Sequence, residues 1–184
     1  QYCMQSKVIL LTSLFLIFVP ATFFFFRDFA GMPVKERTLC ALFQSVTTRT
    51  AGFNTADLSG MTGASQAIMI ILMMIGGAPG STAGGMKITT FAVLTANASA
   101  TFRQREDTQM FGRRVAQEVL KNASTILMMY LFLVLMGGMV ISVAENLPIS
   151  DCLFETASAV GTVGLTLGIT PRLGVLSKGI LIAL

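Results

Sequence analysis

Charged positions cut the chain into apolar runs, and the length of each run predicts an element. Val8 to Phe26 carries no charge between Lys7 and Arg27-Asp28, long enough for a helix that crosses a membrane, which needs roughly 20 residues. Pro20 lies inside it, as membrane helices tolerate. Arg27 to Arg37 is a polar loop with Gly31 and Pro33. Glu36 to Val46 is a short amphipathic helix, too short to span. Ala64 to Ile75 is apolar and also short. Five glycines and a proline then fall within Gly76 to Gly85, a density that interrupts any helix. An apolar helix resumes over Met86 to Thr95 with one charge, Lys87. Ala100 to Lys121 is the most polar stretch, with Arg103, Arg105, Arg113, Arg114 and Lys121 against Glu106, Asp107 and Glu118. Asn122 to Val143 is a second uncharged span. Asp151 to Val160 is a second short helix, Pro171-Arg172 a turn, and Leu173 to Leu184 the start of another apolar helix. The order is span, short helix, span, twice over.

Basic excess beside membrane helices marks the cytoplasmic side. Residues 100–121 are therefore expected inside, and the acidic stretch Glu145 to Glu155 outside together with both short helices. Asn97-Ala-Ser and Asn122-Ala-Ser match glycosylation sequons, but on an inner face they carry no meaning. Composition agrees with the runs: 53% of residues are apolar, 12% are charged, and mean hydropathy is +0.73, where soluble domains carry about 25% charged residues. The chain has no His and no Trp, and Cys3, Cys40 and Cys152 stand singly. Metal chemistry based on His or paired Cys is thereby excluded, and no nucleophile–base set suggests an enzyme. A net charge of +4 offers no nucleic-acid patch.

Each short helix is followed by a threonine, a small or branched apolar residue and a glycine. Thr50-Ala51-Gly52 and Thr162-Val163-Gly164 stand 112 positions apart without a gap. The preceding Leu42-Phe43-Gln44 and Leu153-Phe154-Glu155 align with a one-residue offset. Glycine reaches dihedrals that other residues avoid, and rings of backbone carbonyls can replace the hydration shell of a potassium ion. Non-helical backbone at membrane depth is tolerated only where it is buried in protein or lines a water-filled cavity. Two such segments predict a pore, and the break at Gly76–Gly85 is of the kind that marks ion pathways. A phosphate-binding loop fails there. Gly80 and Gly85 have its spacing, but Met86 fills the lysine position and Lys87 comes one residue late.

Three stretches carry a resemblance: Thr47-Thr-Arg-Thr-Ala-Gly-Phe-Asn54, Ile75-Gly-Gly-Ala-Pro-Gly-Ser-Thr-Ala-Gly-Gly-Met-Lys-Ile-Thr-Thr90, and Phe154-Glu-Thr-Ala-Ser-Ala-Val-Gly-Thr-Val-Gly-Leu165. In this order and spacing the chain resembles the Ktr/Trk/HKT superfamily of potassium transporters over nearly its whole length. Arg49 favours the KtrB branch over the close TrkH branch. The resemblance implies an all-α membrane protein of repeated helix–pore-loop–helix units, of which this chain looks like the third and fourth of four. One unit covers 7–98 with an intramembrane loop at 76–85, a cytoplasmic linker covers 99–121, and a second, incomplete unit covers 122–184. The chain, which does not begin with Met, reads as the C-terminal half of a longer protein.

The resemblance further implies potassium transport across the plasma membrane as a pore-forming subunit. Backbone carbonyls at Thr50, Ala51, Thr162 and Val163 would face the ion beside filter glycines Gly52 and Gly164. No other metal and no covalently bound cofactor is implied; potassium is the cargo. Gly76, Gly77, Gly80, Ser81, Thr82, Gly84 and Gly85 would form a gate loop under the filter. Lys87 would support that gate or snorkel to the inner surface, and Arg49 would brace the filter loop or sit as a solvated charge at the outer mouth. The implied partners are membrane lipid, a second copy of the subunit and a cytosolic nucleotide-binding ring of KtrA/TrkA type, for which 100–121 is the candidate contact. Two other functions fit the apolar runs: a secondary transporter of a larger solute, and a membrane scaffold whose glycines only pack helices, as Gly137-Gly138 would. Matched Thr-x-Gly segments favour an ion path, since an organic solute has no need of two carbonyl strands.

Overall fold

The structure is a computed structural model that describes residues 3–105 and 107–184; Glu106 of the polar linker lies outside them. Its helices are α1 (Met4–Arg27), α2 (Val34–Thr47), α3 (Gly63–Met74), α4 (Ile88–Phe102), α5 (Gln117–Glu145), α6 (Ile149–Val160) and α7 (Val175–Ala183). The only strands among the described residues are β1 (Gln109–Met110) and β2 (Arg113–Arg114).

The two long helices, α1 with 24 residues and α5 with 29, reach roughly 36 and 44 Å at about 1.5 Å per residue, enough to cross a bilayer. Only 28% and 17% of their most apolar windows are buried inside the molecule. Neither is therefore the core helix of a soluble protein. Leu10, Leu14, Phe15 and Phe18 on α1 and Met128, Phe132 and Met136 on α5 stand exposed, an apolar surface suited to hydrocarbon and too extensive for water.

Each long helix carries a short one: α2 packs on α1, and α6 on α5. The halves meet where α3 packs on α6, around Met69, Met73, Phe154, Ala157 and Val163. Two local devices bring the short helices in. Pro20 has no N–H to give the carbonyl of Leu16 one turn earlier. Ser45 of α2, fully buried, donates its hydroxyl instead to the carbonyls of Leu16 at 3.1 Å and Ile17 at 2.8 Å. On the other side Thr156 of α6 donates to the carbonyl of Val134 at 3.2 Å. There Gly137 and Gly138 leave room: a Cβ on Gly138 would come within 2.7 Å of the Leu153 side chain. That glycine pair is close packing between helices.

The boundaries differ from the apolar runs where charge carries a helix past the hydrocarbon. The stretch 99–121 is not all linker: α4 continues to Phe102, and α5 begins at Gln117. The ribbon between them turns on Phe111 and Gly112, both with positive φ, as two-residue hairpins require. Arg114 pairs with Asp107 at 2.7 Å, and Thr108 donates to Asn97 Oδ1 at 3.0 Å, so one sequon asparagine ties the ribbon to α4.

Ser45→Ala is expected to cost about 1–2 kcal/mol by leaving a buried carbonyl without a donor. In a Pro20→Ala background, where an N–H is restored, the penalty shrinks. A double-mutant cycle on unfolding in detergent measures both.

Candidate functional site

The two Thr-x-Gly segments start where the short helices stop, after Thr47 and Val160. Helix C-termini carry partial negative charge, so both present an electrostatic environment that favours a cation. Two N–H groups of each segment turn back onto those helices. Ala51 and Gly52 donate to the carbonyl of Thr47 at 3.2 and 3.1 Å; Thr162 donates to Ala159 at 2.9 Å and Val163 to Ser158 at 2.8 Å. Among the described residues the carbonyls of Thr50, Ala51, Thr162 and Val163 accept no hydrogen bond. Four neighbouring acceptors without a donor call for another electropositive partner.

The backbone repeats as closely as the sequence. Thr50 has φ 62° and Gly52 71°; Thr162 has φ 53° and Gly164 87°. Ala51 and Val163 between them keep the ordinary sign. Alternation of hand turns successive peptide groups to one side, where a regular strand alternates them. For glycine this is free. For a β-branched threonine it is an outlier that costs on the order of 1–3 kcal/mol and persists only where the surroundings enforce it. The segments also touch: a Cβ on Gly52 would collide with the carbonyl of Val163. Positions 112 apart in sequence are neighbours in space.

Between α3 and α4 the chain leaves helical geometry over residues 75–87, and its neck is zipped. Met86 N donates to Met74 O at 2.9 Å, Gly76 N to Met86 O at 2.8 Å and Ile88 N to Gly77 O at 3.1 Å. Inside the loop, Lys87 Nζ donates to the carbonyls of Ala83 at 2.5 Å and Ser81 at 3.2 Å. The loop reaches the second segment, where Gly84 N donates to Thr162 Oγ1 at 3.0 Å. A side chain on Gly84 would overlap that threonine. Gly76, Gly77 and Gly85 form the neck, while Gly80, Ser81 and Thr82 are at the tip, which is exposed.

Arg49 is half-buried, and its Nε has no partner among the described residues. Its backbone carbonyl accepts from Thr50 Oγ1 at 2.7 Å. Glu155 has a part that sequence reasoning missed. It is 4% exposed and accepts from Thr166 Oγ1 at 2.6 Å, Leu167 N at 3.0 Å and Thr170 Oγ1 at 2.7 Å. Three donors let an unpaired carboxylate stay buried and pin the segment that returns from Gly164. The signal was an acid at the centre of a short apolar helix, a turn past Asp151 at its start. Its counterpart Gln44 is equally buried, but its Oε1 has no partner. The two halves therefore share a backbone and differ in its support.

The chain is similar to known proteins. A family model described as "TrkH: Cation transport protein" matches residues 3–184. The "Ktr system potassium uptake protein B" of Bacillus subtilis (strain 168) is 36% identical over 151 residues, 82% of this chain and 34% of that protein. The "Potassium/sodium uptake protein NtpJ" of Enterococcus hirae is 36% identical over 98% of this chain and 42% of its own length. Potassium transporter TrkH from Vibrio parahaemolyticus, a crystal structure, superposes with a TM-score of 0.75 at 19% identity over 97% of this chain and 40% of that one. The mostly helical fold is thus similar to that transporter's. The chain spans between a third and about two-fifths of the curated relatives' length.

Glu155→Ala is expected to cost about 3 kcal/mol, since hydrogen bonds to a buried charge are worth more than neutral ones. It should also raise the exchange rate of the Leu167 amide. Unfolding in detergent and hydrogen exchange measure the two effects.

Proposed function

The chain belongs to the TrkH cation transport protein family, and on that footing we propose that it forms part of a potassium-conducting pore in the plasma membrane. Potassium is the cargo. Carbonyls at Thr50, Ala51, Thr162 and Val163 replace part of its water shell beside Gly52 and Gly164. One observation carries the proposal: two segments 112 residues apart repeat the same unusual backbone signs and lie against each other with four carbonyls unbonded. The relatives are named as cation transporters, and enzymatic chemistry has no counterpart here.

The unit organisation follows from the same premise. Helices α1 to α4 and α5 to α7 are two helix–pore-loop–helix units, with α3 and α4 as one broken helix. Residues 76–85 act as the gate below the filter. The bond from Gly84 to Thr162 supports that position, and the two bonds from Lys87 support a loop-holding role for the lysine over simple snorkelling. The basic residues between α4 and α5 favour the cytoplasmic side for that connection, where a nucleotide-binding ring of KtrA/TrkA type would dock; a second copy of the subunit would complete the assembly. Arg49, with an unmet Nε, is a brace only through groups contributed from elsewhere in the pore. A larger solute transported by alternating access is disfavoured by the closeness of Gly52 to Val163.

The test is rubidium and sodium flux through the full-length protein in liposomes. Rubidium stands in for potassium, and sodium is included because one relative is named for both ions. Wild type is expected to pass rubidium. Gly164→Ser forces a side chain into φ 87° and is expected to lower the rubidium-to-sodium ratio by about tenfold, the effect of a strain penalty near 1.4 kcal/mol. Unchanged flux and ratio would make Gly164 a packing residue. Lys87→Ala, by contrast, should raise rubidium flux and leave the ratio alone.

A further inference from the structure

The two inner helices begin without caps of their own. Neither Thr62, before α3, nor Gly174, before α7, caps a backbone amide of its helix with a side chain; the Thr62 hydroxyl bonds that of Ser65 at 2.9 Å. The first N–H groups of a helix nonetheless need acceptors. In both places the acceptor is a carboxylate from the far side of the pore-loop excursion. Asp28, which ends α1, accepts from Thr62 N at 2.9 Å through Oδ1 and from Ser65 Oγ through Oδ2. Glu145, the last residue of α5, accepts from Gly174 N at 2.8 Å and from Ser177 Oγ at 2.5 Å, both through Oε1. The carboxylates lie 34 and 29 residues from the amides they cap.

The constellation is a repeat in its own right. Each acid ends an outer helix, and each bonds the N-cap amide and the third-residue serine of an inner helix. Gly174 and Ser177 follow Thr62 and Ser65 by 112 positions, the spacing of Gly164 from Gly52. Both serines are fully buried, so their hydroxyls have no water to fall back on. A local Glu or Gln at the third helical position would satisfy these amides by reaching back, as in a capping box. A remote carboxylate does so and also joins two helices. The points it joins are the two ends of the excursion that carries α2 with Thr50–Gly52, or α6 with Thr162–Gly164.

We propose that Asp28 and Glu145 are positioning residues of the ion filter, each tying the neck of one pore loop so that its carbonyls keep their distance from the axis. This rests on the transport reading above. A site that must hold its ligands within about 0.5 Å depends on such supporting contacts. Negative charge at a helix N-terminus strengthens each tie.

The test uses the full-length protein in liposomes and two readouts, the rubidium-to-sodium flux ratio and hydrogen exchange at residues 62–65 and 174–177. Asp28→Ala and Glu145→Ala should each speed exchange at their own partner amides by about tenfold, the loss of a charge-assisted bond, and lower the flux ratio severalfold. Ser177→Ala removes its bond to Glu145, and Ser65→Ala its bonds to Asp28 and Thr62; both should move the two readouts less than loss of the acid, in the same direction, and they decide the matter where an alanine at the acid prevents folding. Asp28→Ala with Ser65→Ala together should be no worse than Asp28→Ala alone. Faster exchange with an unchanged ratio would leave the tie as a fold contact and overturn the filter role. Unchanged exchange would overturn the tie itself. A wild type that passes neither ion would sink the transport reading and the filter role with it, and exchange would still report whether the acids cap their helices.

Discussion

Backbone amides in hydrocarbon have nowhere to turn but the protein, and every departure from helix in this fold answers to that constraint. At Pro20 the missing donor comes from Ser45 on the neighbouring helix. At residues 75–87 the chain leaves the helix and is zipped across its neck by Met86, Gly76 and Ile88. At the Thr-x-Gly segments two N–H groups of each go back to the short helices, and the carbonyls of Thr50, Ala51, Thr162 and Val163 are left without a donor among the described residues. Along the proposed ion path four carbonyls are left without a donor among the described residues, a property a cation can use.

Much of this was legible in the sequence, for definite reasons. Runs without charge located α1 and α5 because hydrocarbon excludes charge over a fixed thickness. The glycine cluster located the break between α3 and α4 because glycine and proline cannot continue a helix through it. The 112-residue repeat matched Thr50 to Thr162 and Gly52 to Gly164, and all four of these positions have positive φ.

Asp28, Glu145, Ser45 and Glu155 were not legible as supports. Asp28 stood next to Arg27 in what hydropathy marks as a surface loop, and Glu145 headed an acidic stretch. Their roles depend on acceptors and donors tens of residues apart, which periodicity does not register. Helix ends were blurred for a related reason. Gln117, Glu118 and Lys121 continue α5 beyond the apolar core, where helix persists but hydropathy falls silent.

The threonines at 50 and 162 have a consequence that lies in chirality. The genetic code supplies one achiral residue, and the chain places it at 52 and 164, where the left-handed region must be entered. At 50 and 162 it keeps an L-residue that enters the same region at a cost. Thr162 retains the hydroxyl that receives Gly84, and Thr50 the one that closes onto Arg49. Glycine there would relax the main chain and erase both bonds. A D-threonine would suit the backbone but aim its oxygen elsewhere, so at these two positions the hand of the amino acid is set by the hydroxyl against the preference of the main chain.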